Sequence, residues 1–308
     1  RRSSDLVSWY AQGWFMQTTR ALPERLQTRG YIVDAPIEQV RTWERSTVLR
    51  AHTTRGAVYI KQVPPMFAHE TRLSLWLAER FPGDCPPVLD VDGCQMVMPD
   101  YGGTALTQIQ DEAVWAAALQ AHARLQQRLS GYVDELLTLG VPDRRLDWLD
   151  AGIDVLLADE TALRAGTNPL NDEEIIRLRS LAPRLHEAVT QMRRYRLPDT
   201  LEHGDFWTGQ IIAREGQILF TDWSDSAVSN PLFCLPFFLA EIENELPIEG
   251  VRERLRDVYL RCWADYEPLE RLREAYEIAR LLSPLHTAVF YHSYVLPRMS
   301  ARRSEERR

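Results

Sequence analysis

The stretch that decides the fold is LEHGDFWTGQ at Leu201–Gln210, followed closely by ILFTDW at Ile218–Trp223. Between these two motifs, short apolar runs flank a polar turn that contains a glycine. Apolar runs joined by such a turn predict an antiparallel hairpin over residues 211–222. The hairpin would return the chain to the end of the sheet where it started.

Three side chains of this segment have the chemistry that phosphoryl transfer needs. Gln210 enters the first strand and Asp222 leaves the second, so we expect both at the same open end of the hairpin, with Asp205 in the loop just before. One carboxylate can accept a hydroxyl proton, and a second carboxylate with a neutral oxygen can hold magnesium. Each aspartate alone also fits an ordinary loop or strand end, but their spacing favours a catalytic site.

A family resemblance rests on the same residues. His203–Gln210 resembles the H-G-D-x-x-x-x-N catalytic loop of the aminoglycoside phosphotransferases and choline kinase-like small-molecule kinases, and Asp222 with the tryptophan after it resembles their metal-binding D-W step. The resemblance implies that Asp205 is the catalytic base and that Gln210 and Asp222 ligate Mg²⁺. It implies a structural role for His203. Gln210 stands where the family has Asn, so this ligand would act from a shifted position.

The N-terminal part of the chain supplies matching residues. Lys61 ends an alternating run that resembles the V-A-I-K strand of kinases, in which the lysine holds the α- and β-phosphates. Glu70 lies on the core-directed face of the next predicted helix, over about 67–80. Because an unpaired buried charge is costly, we expect Glu70 to pair with Lys61. Lys61 alone also fits a solvated strand end, but the pair in this order favours a kinase.

The remaining nucleotide contacts follow from the same resemblance. Met98, Pro99 and Tyr101 lie in a stretch that resembles the family's adenine-binding hinge. Since proline has no N–H, adenine would use the Pro99 carbonyl and the Tyr101 amide, with Met98 against the purine. No G-x-G-x-x-G precedes the lysine strand, which leaves Ser46 and Thr47 as candidates whose amides would cap the phosphates. ATP, or GTP in its place, is the expected phosphate donor.

The predicted fold class is α+β, with the protein-kinase-like two-lobed fold that the resemblance implies. Strand-like runs at 48–52, 57–61 and 94–98 predict an antiparallel sheet, and helical spacing dominates after residue 104. We therefore expect an N-terminal nucleotide-binding lobe with leading helices at 1–100. A larger, mainly helical catalytic and substrate lobe would occupy 101–308.

Composition excludes several classes of function. The formal net charge of −8 argues against a nucleic-acid binder, which needs a basic face. The cysteines have no zinc-binding spacing, and the longest apolar run is too short to span a membrane. We expect a cytoplasmic protein without a nucleic-acid or membrane partner.

The sequence predicts an ATP- and Mg²⁺-dependent phosphotransferase that acts on a hydroxyl group of a small molecule. No A-P-E motif follows Asp222, which argues against a protein kinase. The substrate stays open among amine-bearing alcohols, sugars and aminoglycoside-like molecules. Acidic and aromatic side chains that could bind an amine are Asp225, Glu241, Glu243, Glu245, Trp223, Tyr291 and Tyr294. The alternatives are a solvated acidic helix face for the glutamates and, for the whole chain, a catalytically weak pseudokinase or ligand-binding module.

Overall fold

The computed structural model describes residues 8–165, 168–240 and 242–298. The chain forms two compact units. The first unit runs up to Thr104 and also includes Ile212–Ser224. The second unit consists of Ala105–Ile211 and the residues from Asp225 onward. The predicted hairpin therefore packs mainly with the first unit, although it lies in the second half of the sequence.

The division into 1–100 and 101–308 stays a prediction of domain organisation. The structure adds one feature to it, which is the return of Ile212–Ser224 to the first unit.

Within the part of the chain that the structure describes, the strands form one large sheet and two small ones. Their bounds are β1 (Glu38–Thr42), β2 (Thr47–Thr53), β3 (Gly56–Gln62), β4 (Asp90–Asp92), β5 (Gln95–Pro99), β6 (Thr104–Ala105), β7 (Thr200–Glu202), β8 (Ile211–Arg214), β9 (Gln217–Phe220) and β10 (Ala227–Ser229). The large sheet has the order β1-β2-β3-β5-β4 and is antiparallel throughout. The small sheets are the antiparallel pair of β7 with β10 and the three strands β6-β8-β9.

Of the α-helices in the described residues, the first two belong to the first unit and the others to the second. Their bounds are α1 (Trp14–Gln27), α2 (His69–Arg80), α3 (Glu112–Leu129), α4 (Val133–Thr138), α5 (Leu146–Ala158), α6 (Glu160–Leu163), α7 (Asp172–Ser180), α8 (Ala182–Met192), α9 (Cys234–Phe238), α10 (Ile242–Glu245), α11 (Val251–Arg261) and α12 (Leu269–Phe290). Within the described residues, none of the helices is both long and apolar enough to cross a membrane.

Alternation of side chains gives the large sheet its apolar face. In β2, Leu49 and Ala51 are buried two residues apart, and Val58 and Ile60 repeat the pattern in β3. This period of two places all four side chains on one face of the sheet. They form a core with α1 and with a residue of β5, through Trp14, Leu22, Leu26 and Val97.

The second unit is built from packed helices around the β7–β10 pair. Helix α3 lies against α11 and β7, while α5, α8 and α12 pack on one another. Trp115, Tyr259 and Trp263 are among the largest fully buried side chains of this unit. The strand β7 is therefore held inside the unit, and the loop that follows it starts from a buried position.

The predicted α+β class is confirmed, and the strands and helix predicted in the first hundred residues are present. The sequence did not indicate β1, which is an exposed edge strand without an apolar pattern. It also missed β7 and β10, whose residues are all buried and which are too short to show a period.

We expect Leu49→Ala to lower the free energy of unfolding by about 2–5 kcal/mol, because it leaves a cavity in the core beneath α1. Urea unfolding followed by circular dichroism measures the change. Val40→Ala on the exposed strand β1 is the matched control and should change stability by less than about 0.5 kcal/mol. Equal effects of the two substitutions would contradict this description of the core.

Candidate active site

A buried lysine between two carboxylates is the central feature of the first unit. Lys61 follows Ile60 in β3 and so points to the opposite face of the sheet from the α1 core. There its Nζ donates to Glu70 Oε1 at 2.6 Å and to Asp222 Oδ1 at 2.8 Å. Glu70 is fully buried in the first turn of α2, and Lys61 is 7% exposed. The structure thus brings these three predicted site residues together.

The two carboxylates keep Lys61 charged despite its burial. Burial favours the neutral amine, but the neighbouring Asp222 and Glu70 carboxylates outweigh it and hold the pKa of Lys61 above its ordinary value. A permanent positive charge with directed N–H groups is what a phosphate-binding lysine requires.

Asp222 has an unusual backbone conformation. Its φ angle is +62°, in the left-handed region that non-glycine residues seldom adopt. The turn is anchored on both sides, because the Phe220 amide donates to the Asp84 carbonyl and the Trp223 indole donates to the Phe220 carbonyl. The Ser224 hydroxyl donates to Asp222 Oδ1 at 2.9 Å. This anchored turn directs the Asp222 carboxylate at Lys61, and one third of the side chain stays exposed.

The register of β5 against β3 determines the direction of the Pro99 carbonyl in the predicted hinge. Val58 pairs with Pro99, and the Asp100 amide donates to the Ala57 carbonyl at 2.9 Å, so Pro99 is not in a hydrogen-bonded pair with β3. In an antiparallel ladder such a residue directs its carbonyl away from the partner strand. Proline can therefore occupy this position without the loss of a ladder hydrogen bond. The Pro99 carbonyl faces the other edge of β5.

The segment after the hinge is held by the β8–β9 turn. Arg214 Nη1 donates to the Tyr101 carbonyl at 2.6 Å. Burial raises the pKa of the Tyr101 phenol, which stays protonated. An open groove of about 510 Å³ lies along this contact, lined by residues 100–104 and 213–215. Met98 lies in β5 opposite Tyr59.

Ser46 and Thr47 lie at the turn between β1 and β2. The Trp43 indole donates to Ser46 Oγ at 2.7 Å, and both Ser46 and Thr47 are buried. Thr47 pairs with Thr42 on one side and with Gln62 on the other, so its backbone is part of the sheet. Their role as phosphate-capping amides stays a prediction.

The second unit positions the loop that carries Asp205. The loop leaves β7 through His203, which is fully buried. Its structural role stays a prediction. Gly204 follows with φ +78°, and a Cβ there would lie 2.0 Å from the Asp225 carbonyl oxygen. Only glycine fits so close an approach of two chain segments.

Aromatic packing and a contact between Asp205 and Gln210 help to fix the loop. Phe206 is 1% exposed and stacks on the His122 ring with centroids 3.9 Å apart. Asp205 before it is partly exposed, and its Oδ2 accepts from Gln210 Nε2 at 3.4 Å. Gln210 ends a short 3₁₀ turn, Thr208–Gln210. The structure therefore brings the predicted base and this predicted ligand together within the second unit.

A cavity of about 110 Å³ adjoins Asp205 in the second unit. Its polar wall includes the carboxyl groups of Glu202, Asp205 and Asp225 and the guanidinium of Arg144. Its apolar wall consists of Phe206, Phe233, Phe237, Phe290 and Tyr291.

Two of the polar groups in this cavity have strongly shifted pKa values. Burial raises the pKa of Glu202 to about 7, with Asp225 and Asp205 adding to the rise and the Gly204 amide and Arg144 opposing it. Burial and the Arg144 charge lower the pKa of His286 to about 3, so this imidazole is neutral near pH 7. The carboxyl groups outnumber the cations of the cavity.

The predicted amine-binding residues are only partly brought together. Asp225 and Tyr291 line the cavity. Glu245 accepts from the Thr208 hydroxyl at 2.6 Å, and Glu243 forms a surface ion pair with Arg252. Tyr294 stacks on Phe290, Trp223 is buried in the first unit, and Glu241 lies outside the described residues.

Among the cavity residues that sequence reasoning missed are the charged residues Glu202 and Arg144. Glu202 ends a fully buried strand, and Arg144 is 3% exposed with its guanidinium 3.5 Å from the centroid of the Phe290 ring. The available signal for Glu202 was a charged residue directly before the H-G-D motif. Arg144 lies in the charged sequence PDRRLD, which resembles a surface loop.

Comparison with solved structures finds the same fold in proteins named as small-molecule kinases and phosphotransferases. The macrolide 2'-phosphotransferase of Brachybacterium faecium has a TM-score of 0.59 at 17% identity, over 92% of this chain and 96% of that one. The ethanolamine kinase of Plasmodium vivax has a TM-score of 0.61 at 13% identity, over 87% and 82%. An aminoglycoside phosphotransferase of Streptomyces rimosus, in complex with ADP and streptomycin, has a TM-score of 0.53 at 17% identity, over 90% and 99%. The chain has their protein-kinase-like fold.

The predicted resemblance to these kinases is thereby confirmed at the level of the fold. No profile of a known protein family matches the sequence. No curated protein matches it either.

The raised pKa of Glu202 predicts a pH-dependent stability. The carboxyl is protonated in the folded chain below about pH 7 but loses its proton near pH 4.3 once unfolded. The contribution of Glu202 to the free energy of unfolding is complete below about pH 4.3. It is lost as the pH rises through about 7, and the free energy of unfolding then falls by about 3 kcal/mol. Glu202→Gln should remove this dependence, so that the melting temperatures of variant and wild type diverge between about pH 4.3 and about pH 7.

The matched control is Glu243→Gln, whose carboxyl lies on the surface in an ion pair. It should follow the wild-type pH profile of the melting temperature. Parallel profiles for Glu202→Gln and wild type would show that Glu202 is ionised normally.

Proposed function

We propose that this protein is an ATP- and magnesium-dependent phosphotransferase that acts on a hydroxyl group of a small molecule. The observation that carries the proposal is Lys61, a buried ammonium group held by Glu70 and Asp222. A fixed cation beside a partly exposed carboxylate suits a nucleotide phosphate and its metal ion. The fold adds support, since the similar solved proteins are named as phosphotransferases and kinases, one of them bound to ADP.

The first unit has the groups that nucleotide binding needs. Lys61 binds the α- and β-phosphates, and the Pro99 carbonyl, which faces away from β3, accepts from the adenine amino group. The Tyr101 amide donates to the ring, while the Arg214 contact with the Tyr101 carbonyl keeps this segment in place. Met98 lies against the purine.

Magnesium fits the donor atoms of the two proposed ligands. Mg²⁺ prefers carboxylate and amide oxygens. Asp222 has a partly exposed carboxylate, and Gln210 uses its amide nitrogen toward Asp205, so its amide oxygen is the atom for the metal. When bound, the ion neutralises charge on the phosphates.

Asp205 acts on the acceptor. It orients the hydroxyl group and takes its proton as the oxygen bonds to the transferred phosphorus and the bond to ADP breaks. The cavity beside Asp205 favours a cationic acceptor, because its carboxyl groups outnumber its cations and its aromatic rings attract ammonium groups. We therefore place amine-bearing alcohols first among the candidate substrates. A cytoplasmic location agrees with the free thiols at all four cysteines.

Asp222→Asn should abolish the magnesium-dependent part of nucleotide binding, because the amide has no negative charge for the ion. Thermal shift with ATP, with and without Mg²⁺, measures the effect against the melting temperature of each protein alone. The matched control is Asp92→Asn, an aspartate of the same unit whose side chain is 81% exposed. A folded wild-type protein whose melting temperature no nucleotide changes would falsify the proposal.

Gln210→Asn tests whether the glutamine is adapted to this site. The shorter amide no longer reaches Asp205 as Gln210 does, so we expect ATP turnover to fall by about 10- to 100-fold. ADP release is measured over a panel of amine-bearing alcohols, with Gln191→Asn on the α8 surface as control. A rise from negligible activity in Gln210→Asn would instead identify the natural protein as a catalytically weak pseudokinase.

A further inference from the structure

A buried carboxyl group lies at the cavity of the second unit, at the end of β7. Glu202 is 4% exposed and lines this cavity together with Asp205. Its Oε1 accepts from the Gly204 amide at 2.9 Å, and within the described residues this is the one hydrogen bond that the carboxyl group forms. Because a buried carboxylate oxygen without a donor is costly, Oε2 is a strong site for a hydrogen-bond donor from a ligand.

Two hydroxyl groups of residues that line the cavity already donate their protons to the backbone. Ser283 Oγ donates to the Phe233 carbonyl at 2.7 Å, and Thr287 Oγ1 donates to the Ser283 carbonyl at 3.2 Å. A hydroxyl group has one proton and two lone pairs, so toward a ligand these oxygens are acceptors. A ligand with several N–H donors therefore suits this wall of the cavity.

The charged groups around Glu202 favour a further cation. Burial raises the pKa of Glu202 to about 7, and Asp225 and Asp205 add to the rise, while a backbone amide and Arg144 oppose it. Since the opposing groups do not outweigh burial, a bound positive charge would stabilise the ionised carboxylate further. The phenol of Tyr291 and four phenylalanine rings complete the wall, and aromatic faces attract cations as well.

The titratable groups of α3, α9 and α12 near Glu202 supply no positive charge at neutral pH. Burial and the neighbouring guanidinium lower the pKa of His286 in α12 to about 3. Burial raises the pKa of the Cys234 thiol in α9 far above its ordinary value. His122 Nδ1 in α3 lies 3.9 Å from Cys234 Sγ, and burial lowers the pKa of this imidazole well below its ordinary value. His203, the next residue in the chain, is fully buried and does not line the cavity.

We propose that Glu202 selects the acceptor by binding a primary ammonium group of the molecule whose hydroxyl group Asp205 orients. The assignment rests on the proposed function, which places amine-bearing alcohols first, and it adds the binding residue and the type of amine. A primary ammonium has three N–H donors for the acceptors of this wall, whereas a quaternary ammonium has none. Its bond to a carboxylate is charge-assisted. Because Glu202 and Asp205 line one cavity of about 110 Å³, few bonds separate the nitrogen from the reacting oxygen.

Binding of an ammonium group also moves the proton of Glu202. Below about pH 7 the carboxyl group is largely protonated in the free protein. A bound cation stabilises the carboxylate and lowers its pKa, so the proton passes to solvent. The affinity for the ammonium therefore rises with pH up to about 7, and binding at about pH 6 releases up to one proton.

Calorimetric titration with 2-aminoethanol, its N,N,N-trimethyl analogue and 1,2-ethanediol tests the assignment. We expect the wild type to bind the primary amine at least about 10-fold more tightly than either analogue. Glu202→Gln keeps an acceptor for the Gly204 amide without the charge, and should lose this preference. Titration at about pH 6 in two buffers of different ionisation enthalpy counts the released protons, and Glu202→Gln should release none. The matched control is Glu243→Gln, whose carboxyl group lies in a surface ion pair, and it should behave as the wild type.

The outcomes separate this assignment from the proposed function. If ATP with Mg²⁺ raises the melting temperature of the wild type but the protein binds none of the three probes, or binds them equally, the assignment is wrong and the proposed function stands. These wild-type measurements decide the question even if Glu202→Gln does not fold. A folded Glu202→Gln that keeps the preference and the proton release would also overturn the assignment. If no nucleotide changes the melting temperature, the proposed function fails, while a preference for the primary amine that depends on Glu202 still supports the ammonium site.

Discussion

The ion pairs of Lys61 determine how the first unit is assembled. The ammonium joins β3 to the first turn of α2 through Glu70 and to the segment after β9 through Asp222. Removing Lys61 would leave the buried Glu70 carboxylate beside Asp222 without this cation, which is far more costly than exchanging the whole group for apolar residues. The helix, the sheet and the returning hairpin are therefore held to one arrangement by a single cation.

In the second unit, the loop that carries Asp205 is held by a close approach of two backbone segments and by aromatic packing. Gly204 allows the loop to run against the carbonyl of Asp225, and Phe206 anchors the next turn between His122 and Phe238. Asp205 lies between these two fixed points. The loop that carries Asp205 is therefore held on both sides.

The sequence predicted the parts of this protein that depend on local patterns. Alternation revealed β2 and β3, helical spacing revealed α2, and the placement of Lys61 and Glu70 on successive elements predicted their contact. It could not predict what arises between distant segments. Lys61 and Asp222 lie 161 positions apart, and the positive φ of Asp222 has no signature in neighbouring residues. Glu202 in a three-residue strand and Arg144 in a charged sequence become cavity residues only when the helices close around them. The roles of the site residues stay predictions.

The return of Ile212–Ser224 to the first unit has a consequence for synthesis of the chain. A ribosome completes residues up to Thr104 long before Asp222 exists, so Lys61 first meets only Glu70. Contacts of such long sequence separation form late, because the loop between them must be closed first. The first unit therefore cannot finish folding from its N-terminal segment alone and must wait until most of the second unit has left the ribosome.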